Sequence, residues 1–282
     1  MSLRNALSLL SPSKPFLEGE IAGIQGVPTR HMYMIAAVGL LQSCNRPVKI
    51  LEIGSWCGSS ALSWAAALDK LLPSKGTLLC IDPWEAYFGE KDLKKGANYA
   101  QMTQIAQSDL AYNLFLHNIQ FAPKTIPIDH FRGPANRILP YLADESFDLV
   151  YIDGSHYYKD ASHDMEHAKR LVRDGGFICG DDLEMHLSEV DAAKTKKLTT
   201  EDYVQDLKTQ RWFHPGVTLA VNEHFGEEVS VYEGFWIVQK NKKQYSKINL
   251  NGQTSFVPDH LSNIIMVHPV TSNQAQQKPV AV

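Results

Sequence analysis

Val48-Lys-Ile-Leu-Glu-Ile-Gly-Ser-Trp-Cys-Gly-Ser-Ser60 is the stretch on which the organisation of this chain turns. A run of mostly branched apolar residues carries one acid, Glu52, near its end, then meets two glycines and a good helix sequence. This is the pattern of a buried parallel strand that turns sharply into a helix where backbone must come close to a ligand. The glycines are spaced Gly54-x-x-x-Gly58, so the G-x-G-x-x-G dinucleotide fingerprint is not met. An acid at the strand tip is poorly suited to cradling a pyrophosphate and well suited to a cationic group. The stretch suggests a nucleoside cofactor that carries an ammonium.

Working outward, Thr29 is a plausible N-cap for a helix over Arg30–Ser43, whose Met32, Ile35, Ala36 and Leu40 share one face. The helix Ser59–Leu72 turns Leu62, Ala65, Ala66 and Leu68 toward the sheet and stops at Pro73 and Gly76. Thr77–Asp82 reads as a second buried strand ending on an acid. Ligands of open α/β sheets bind beyond the carboxyl ends of the strands, so Asp82 is placed to hold both hydroxyls of a ribose. The bland alternative is a solvated turn aspartate before Pro83.

Pro83–Ile119 is longer than a plain crossover, with a helix expected from Asn98 to His117. Its aromatic residues, Trp84, Tyr87, Phe88, Tyr99, Tyr112 and Phe115, have the spacing of core residues, although some could wall an adenine. Lys124–Ile128 is read as a third strand, followed by Gly133-Pro134-Ala135 and a helix ending near Leu142. Phe147–Asp153 is the fourth strand, His156–Val172 an amphipathic helix, and Phe177–Gly180 leads into Asp181-Asp182. Strand and helix alternate throughout Val48–Asp182, which predicts an α/β fold with a doubly wound, mostly parallel sheet. Leu183–Trp212 reads as a mobile segment over the site, and His214-Pro215-Gly216 opens a helix to Phe225. Val229–Tyr232 and Phe235–Gln239, separated by Glu233-Gly234, predict an antiparallel hairpin at the sheet edge.

The expected division is an N-terminal arm at 1–28, a catalytic domain at 29–240 and a C-terminal extension at 241–282, disordered over Ser272–Val282. The arm's short apolar pieces suggest packing on a neighbour, and hence a homo-oligomer. At 282 residues, 44% hydrophobic and 21% charged, the chain has the composition of an ordinary soluble protein. A net charge of -4 gives no general attraction to nucleic acid or to an anionic membrane. The longest apolar run, Met32–Leu41, is about half of what a membrane span needs. Four cysteines without a C-x-x-C pair read as free thiols in a reducing compartment. A cytoplasmic protein is expected, with no nucleic-acid or membrane partner.

Asp153, Asp181 and Asp182 end neighbouring strands, so three carboxylates converge at the edge of the cofactor cleft. That much negative charge calls for a cation, and all-oxygen ligation favours Mg²⁺ or another hard divalent ion. The competing possibility is that two of these acids cap turns, with Lys194 or Lys196 as partners. His156 lies three residues after Asp153, where a neutral imidazole could take the proton of a metal-bound substrate hydroxyl. His163 and His167 share a helix face, but Asp164 stands where a zinc protease has Glu, and the two are read as solvated or interhelical.

These residues together resemble the class I S-adenosylmethionine-dependent methyltransferases. Ile50–Ser60 is similar to the cofactor motif of the catechol O-methyltransferase group, with an aromatic and a Cys between the glycines. Gly133-Pro134-Ala135 resembles the adenine-facing turn of the plant caffeoyl-coenzyme A O-methyltransferases. Asp153 with Asp181-Asp182 matches the magnesium ligands of the family. His156 stands where the catechol enzymes carry a Lys, a pattern similar to the bacterial magnesium-dependent O-methyltransferases that act on macrolide and aminocoumarin sugars. The resemblance covers about Thr29–Gln239 and implies a Rossmann-like methyltransferase fold.

Carried over, the resemblance implies that Glu52 and the backbone around Gly54, Ser55, Trp56 and Gly58 hold the methionine ammonium. Ser60 would reach its carboxylate, and Asp82, Pro83 and Trp84 would surround the ribose and adenine together with Gly133, Pro134, Ala135 and Asp153. The metal would sit on Asp153, Asp181 and Asp182, and His156 would be the general base toward a small-molecule hydroxyl. A metal-independent methyltransferase acting on N or O, and a non-catalytic cofactor-binding module, are the alternatives. No substrate signature is recognised in Pro83–Ile119 or Leu183–Trp212.

Overall fold

The computed structural model describes residues 13–17 and 27–263. β1 (Val48–Ile53) lies between β2 (Gly76–Asp82) and β4 (Phe147–Ile152). β3 (Ile128–Arg132) flanks β2, and β5 (Val172–Gly180) flanks β4, all five strands being parallel. β9 (Phe235–Asn241) then joins β5 antiparallel. β8 (Ser230–Tyr232) and β10 (Gln244–Lys247) both pair antiparallel with β9. A separate two-stranded piece, β6 (Val204–Gln205) with β7 (Trp212–Phe213), lies in the long connection after β5. The fold is therefore a mostly parallel α/β sheet with an antiparallel edge hairpin. Strand order reverses at β1 and β4, and the carboxyl ends of these strands open the crevice where a ligand fits.

Both faces of the sheet are covered, which is why its central strands read as nearly continuous apolar runs. On one face Ile50, Leu78, Leu149 and Phe177 meet α1 (Arg30–Gly39), α2 (Ser59–Leu71), α3 (Ala97–Gln107) and α4 (Leu110–Asn118). On the other, Leu51, Ile53, Val150 and Ile178 meet α5 (Tyr158–Leu171) and α6 (Pro215–Phe225). Successive residues of each strand face opposite layers, so a slip of one residue would exchange the two cores.

Several boundaries differ from the expectations above. The third strand is Ile128–Arg132 rather than Lys124–Ile128. Pro127 has no N–H to give the ladder, and the edge position leaves residues 128–132 half exposed, which masks the apolar signal. The helix expected over Asn98–His117 breaks at Asp109, whose φ of 58° starts a second helix in a new direction. α5 begins at Tyr158, which leaves His156 in the loop after β4. The sheet runs on past residue 240 to Lys247.

Beyond it Leu250 and Leu261 are buried, and the Ser255 hydroxyl donates to the Met32 carbonyl at 2.8 Å. The described part of the N-terminal arm packs on its own chain. The Phe16 N–H donates to Asn118 Oδ1 at 2.7 Å, and Asn118 Nδ2 returns a bond to the Phe16 carbonyl. The disorder expected for Ser272–Val282 lies outside the described residues. Among the described residues no helix is long and apolar enough to cross a membrane.

A buried histidine pair ties residues 258–263 to the fold. His31 Nδ1 stands 2.7 Å from the Ser63 hydroxyl, which is 3.3 Å from His260 Nε2. Burial, and then the nearby His260, push His31 down to about 3. The unfolded chain takes up this proton below about pH 6.5 and the folded chain does not, so the contribution is intact above 6.5 and is lost as the pH falls. By pH 5 it amounts to roughly 2 kcal/mol. Urea unfolding of the wild type and His31→Gln at pH 7 and pH 5 checks this. The acid loss should be smaller in the variant by about that amount; equal losses would contradict it.

Candidate active site

The turn after β1 is held from three sides. The Gly54 N–H donates to the Ile81 carbonyl and the Asp153 N–H to the Ile53 carbonyl, both at 2.8 Å, which pins the strand tip to its neighbours. Gly54, Trp56 and Gly58 have φ values of 87°, 41° and 85°. Asp82 clasps the turn: its Oδ2 accepts from the Ser55 and Trp56 N–H groups, each at 2.9 Å, and its Oδ1 accepts from Trp84 N–H at 2.6 Å. A carboxylate offers about four acceptor positions, so capacity for one more donor remains.

Glu52 lies beneath this turn rather than on its surface. It is fully buried, and its Oε2 accepts from the Ser55 hydroxyl at 2.6 Å and the Cys80 thiol at 3.3 Å. Its Oε1 has no partner, and burial pushes the group up to about 6. Trp84 is also drawn inward. It has a φ of 49° and is 1% exposed. Its indole N–H donates to the Trp56 carbonyl at 2.6 Å, and its ring packs on Tyr112 and Phe115 at 4.9 and 4.7 Å. It supports the turn from the core and does not wall the cleft.

A cavity of about 770 Å³ opens over the carboxyl ends of the strands. Gly54, Ser55, Trp56, Ser60, Asp82 and Pro83 line one part of it, and Pro134 and Ala135 continue the wall. Asp153, His156, Asp181 and Asp182 line it as well. Glu52, Gly58, Trp84 and Gly133 stand behind the wall. His163 and Asp164 reach the cavity too, closer to the strand tips than a crossover-helix position suggests. The His163 and His167 rings lie 4.5 Å apart without a third metal-ligating partner among the described residues.

The acidic end is densely bonded. Arg30, from the first turn of α1, places Nη1 2.5 Å from Asp181 Oδ1 and 3.2 Å from Asp182 Oδ1, with Nη2 3.4 Å from Glu184. Its Nε donates to the Glu233 carbonyl at 2.6 Å. Burial, then repulsion from Asp181 and Asp182, hold Asp153 well above the usual carboxylate range. Burial, then repulsion from Asp182, bring Asp181 to about 7. Burial would raise Asp182 too, but the His214 and His156 imidazoles hold it well below that range. His156 sits between two acids, Nε2 3.0 Å from Asp182 and Nδ1 2.7 Å from Asp202. Burial lowers its basicity, and the two carboxylates outweigh that and hold it well above 6.5.

Asp202 and Tyr203, in the stretch expected to be mobile, are tied down. The Asp202 N–H donates to Asp92 at 3.1 Å, and its Oδ2 accepts from Tyr99 at 3.0 Å. Asp92 is itself fully buried, accepting from Tyr157 at 2.6 Å and pairing with Lys95 at 2.8 Å. Sequence reasoning missed Arg30, Asp202 and His214. Only Arg30 had a local signal, lying directly after the proposed N-cap Thr29.

The donor set fits a hard divalent cation. Asp153, Asp181 and Asp182 offer oxygen only, and their burial together holds Asp153 and Asp181 above the usual carboxylate range, a cost that a bound cation would relieve. Asp153 in particular has the Tyr151 hydroxyl, at 3.0 Å, as its side-chain partner.

Residues 51–183 match the model of a family described as a methyltransferase domain. No curated protein matches the sequence. Solved structures that resemble the chain include a protein from Corynebacterium glutamicum, 15% identical, with 85% of this chain and 89% of that one covered and a TM-score of 0.44. An O-methyltransferase from Bacillus cereus in complex with SAH is 18% identical, with 83% and 88% covered and a TM-score of 0.39. A calicheamicin methyltransferase is 12% identical, with 75% and 78% covered and a TM-score of 0.44. Likenesses this distant do not decide the chemistry, which rests on the residues of the site.

Proposed function

We propose that this chain, a methyltransferase over residues 51–183, transfers the methyl group of S-adenosylmethionine to a hydroxyl of a small molecule, with His156 as general base. The observation that carries this reading is the single cavity that the β1 turn, Asp82, Ala135 and the Asp153–His156–Asp182 cluster all line. The turn presents backbone and the Ser60 hydroxyl to the amino-acid end of the donor. Asp82 has acceptor capacity left for a ribose hydroxyl, and Ala135 offers an apolar face to the adenine. The unpartnered Oε1 of Glu52 gives the buried side of the turn a negative character that suits an ammonium above it.

Asp153, Asp181 and Asp182 would hold a Mg²⁺ or similar ion. Bound there, such an ion would lower the pKa of the acceptor hydroxyl and fix its orientation. His156 keeps its extra proton while Asp182 and Asp202 both face it bare. Once Asp182 is neutralised, Asp202 alone holds Nδ1–H and Nε2 is free to accept. Methyl transfer from a sulfonium to an incipient alkoxide cancels charge, so positioning and exclusion of water supply most of the rate. Tyr87, Phe88, Tyr99 and Tyr203 line the same cavity and give the acceptor an aromatic wall.

One observation favours a second reading. Arg30 already bonds both Asp181 and Asp182, so the cluster is partly neutralised without a metal. A methyl-transfer screen over sugars, phenols and catechols, with and without chelator, separates the two. The metal-assisted reading expects turnover that chelation and Asp153→Ala both abolish while donor binding survives. Turnover untouched by chelator but lost in His156→Gln would support the metal-free reading. Donor binding with no transfer to any hydroxyl would contradict both.

A further inference from the structure

The acids of the cleft do not exhaust its metal-binding chemistry. His156, Asp182 and His214 each offer one ligand atom, and the three atoms lie within 4.8 Å of one another. They come from three separate elements: the loop after β4, the residue pair after β5 and the start of α6. His156 Nε2 is 3.0 Å from Asp182 Oδ2, and His214 Nδ1 is 3.7 Å from Asp182 Oδ1. The two imidazole rings are 4.4 Å apart, centre to centre. Ligands each about 2.1 Å from one ion stand roughly 3 Å apart at a right angle and about 3.4 Å apart at a tetrahedral angle. His156 and His214 approach the two oxygens of Asp182 at separations near those values, so an ion could be seated by small side-chain movements.

The surroundings of His156 carry the same message. Asp202 Oδ1 stands 2.7 Å from His156 Nδ1, and Glu184 Oε2 stands 3.1 Å from His214 Nδ1. A carboxylate on the second ring nitrogen is the usual support of a metal-bound histidine, fixing its tautomer and raising its basicity. His156 has one; Glu184 instead faces the same His214 nitrogen, Nδ1, that faces Asp182, and stands as a further oxygen donor beside the ion. Two imidazoles and a carboxylate select nitrogen-seeking divalent ions, Zn²⁺, Ni²⁺ and Co²⁺, over Mg²⁺.

We propose that His156, Asp182 and His214 form a second cation site, selective for zinc-like ions, which shares Asp182 with the Asp153–Asp181–Asp182 set. An ion held there takes the Nε2 lone pair of His156 and draws Asp182 away from the oxygen site. The binding site stands on its own residues; the consequence, reversible inhibition of methyl transfer, rests on the function proposed above.

The test is a calorimetric titration of the metal-free protein with Zn²⁺, and separately with Mg²⁺. It is repeated on His214→Ala and Asp153→Asn, after thermal unfolding has shown that each variant is folded. The expected result is one Zn²⁺ per chain, bound at least 10-fold more weakly by His214→Ala, whose Mg²⁺ affinity stays within about 3-fold. Asp153→Asn should show the reverse pattern. Should His214→Ala fail to fold, Co²⁺ added to the wild type gives the second readout. Intense visible d–d bands, kept in Asp153→Asn, indicate a four- or five-coordinate site apart from the oxygen set, and a weak octahedral spectrum overturns the proposal. Zn²⁺ affinity untouched by His214→Ala, or lost in step with Mg²⁺ in Asp153→Asn, also overturns it. If the metal titrations behave as expected but no hydroxyl is ever methylated, the cation site stands and the proposed function falls.

Discussion

His156→Gln is expected to lower kcat for hydroxyl methylation by about 10²–10⁴-fold while the dissociation constant for S-adenosylmethionine stays within a few-fold. The reason lies in where the imidazole sits. Its two nitrogens face Asp182 and Asp202 at 3.0 and 2.7 Å, on the acidic side of the cavity and away from the turn after β1. Glutamine keeps a donor toward one carboxylate, which limits damage to the fold, but it cannot accept a proton. The loss corresponds to about 3–5 kcal/mol of transition-state stabilisation, at 1.36 kcal/mol per decade. Pre-steady-state methyl transfer with donor affinity measured in parallel checks it. A kcat within threefold of wild type would remove His156 from the chemistry. A parallel loss of donor affinity would mean that the substitution acts on the fold.

The second large effect is structural. Gly54 has a φ of 87°, and a Cβ there would be driven into the Asp153 carbonyl and the following peptide, both backbone. No rotamer change relieves such a clash, so Gly54→Ala must push the β1 turn away from the β4 tip. The same turn carries the Ser55 and Trp56 N–H groups that Asp82 holds, so its displacement would also undo the clasp. A stability loss of about 3–5 kcal/mol is expected, at the severe end for one substitution, with donor binding abolished. Urea unfolding together with donor titration reads both. A variant that retains wild-type stability and donor affinity would mean that the turn is not the tight approach described here.

The fold was legible in the sequence where burial leaves a simple signature. β1, β2 and β4 are covered on both faces, so their apolar runs announce them, and the acids at their ends mark the tips. Asp153, Asp181 and Asp182 could be brought together on paper because adjacent parallel strands place their ends side by side. β3 was less legible because an edge strand half exposed to water loses its pattern. β10 was missed because Gln244–Lys247 is polar and is held as a strand by its ladder with β9.

The rest of the site escaped for a topological reason. Arg30, Asp202 and His214 are far apart in sequence and reach the acids from a helix start, a loop and a helix cap, so no spacing rule links them. Glu52 and Trp84 show the opposite failure. Both sit in the right motif, yet the turn closes over Glu52, and a left-handed backbone folds Trp84 back against Phe115. Both side chains lie behind the cavity wall, and the motif alone does not tell which side of the turn they take.

The central claim is that the cavity beyond β1 and β4 is a methyl-donor site. Calorimetric titration of the wild-type protein with S-adenosylmethionine, and separately with NAD, tests it most directly. One molecule of S-adenosylmethionine should bind per chain, with no heat from NAD and with binding lost in Gly54→Ala. Saturable NAD binding at the same site, or no heat from S-adenosylmethionine at protein concentrations of tens of micromolar, would contradict it.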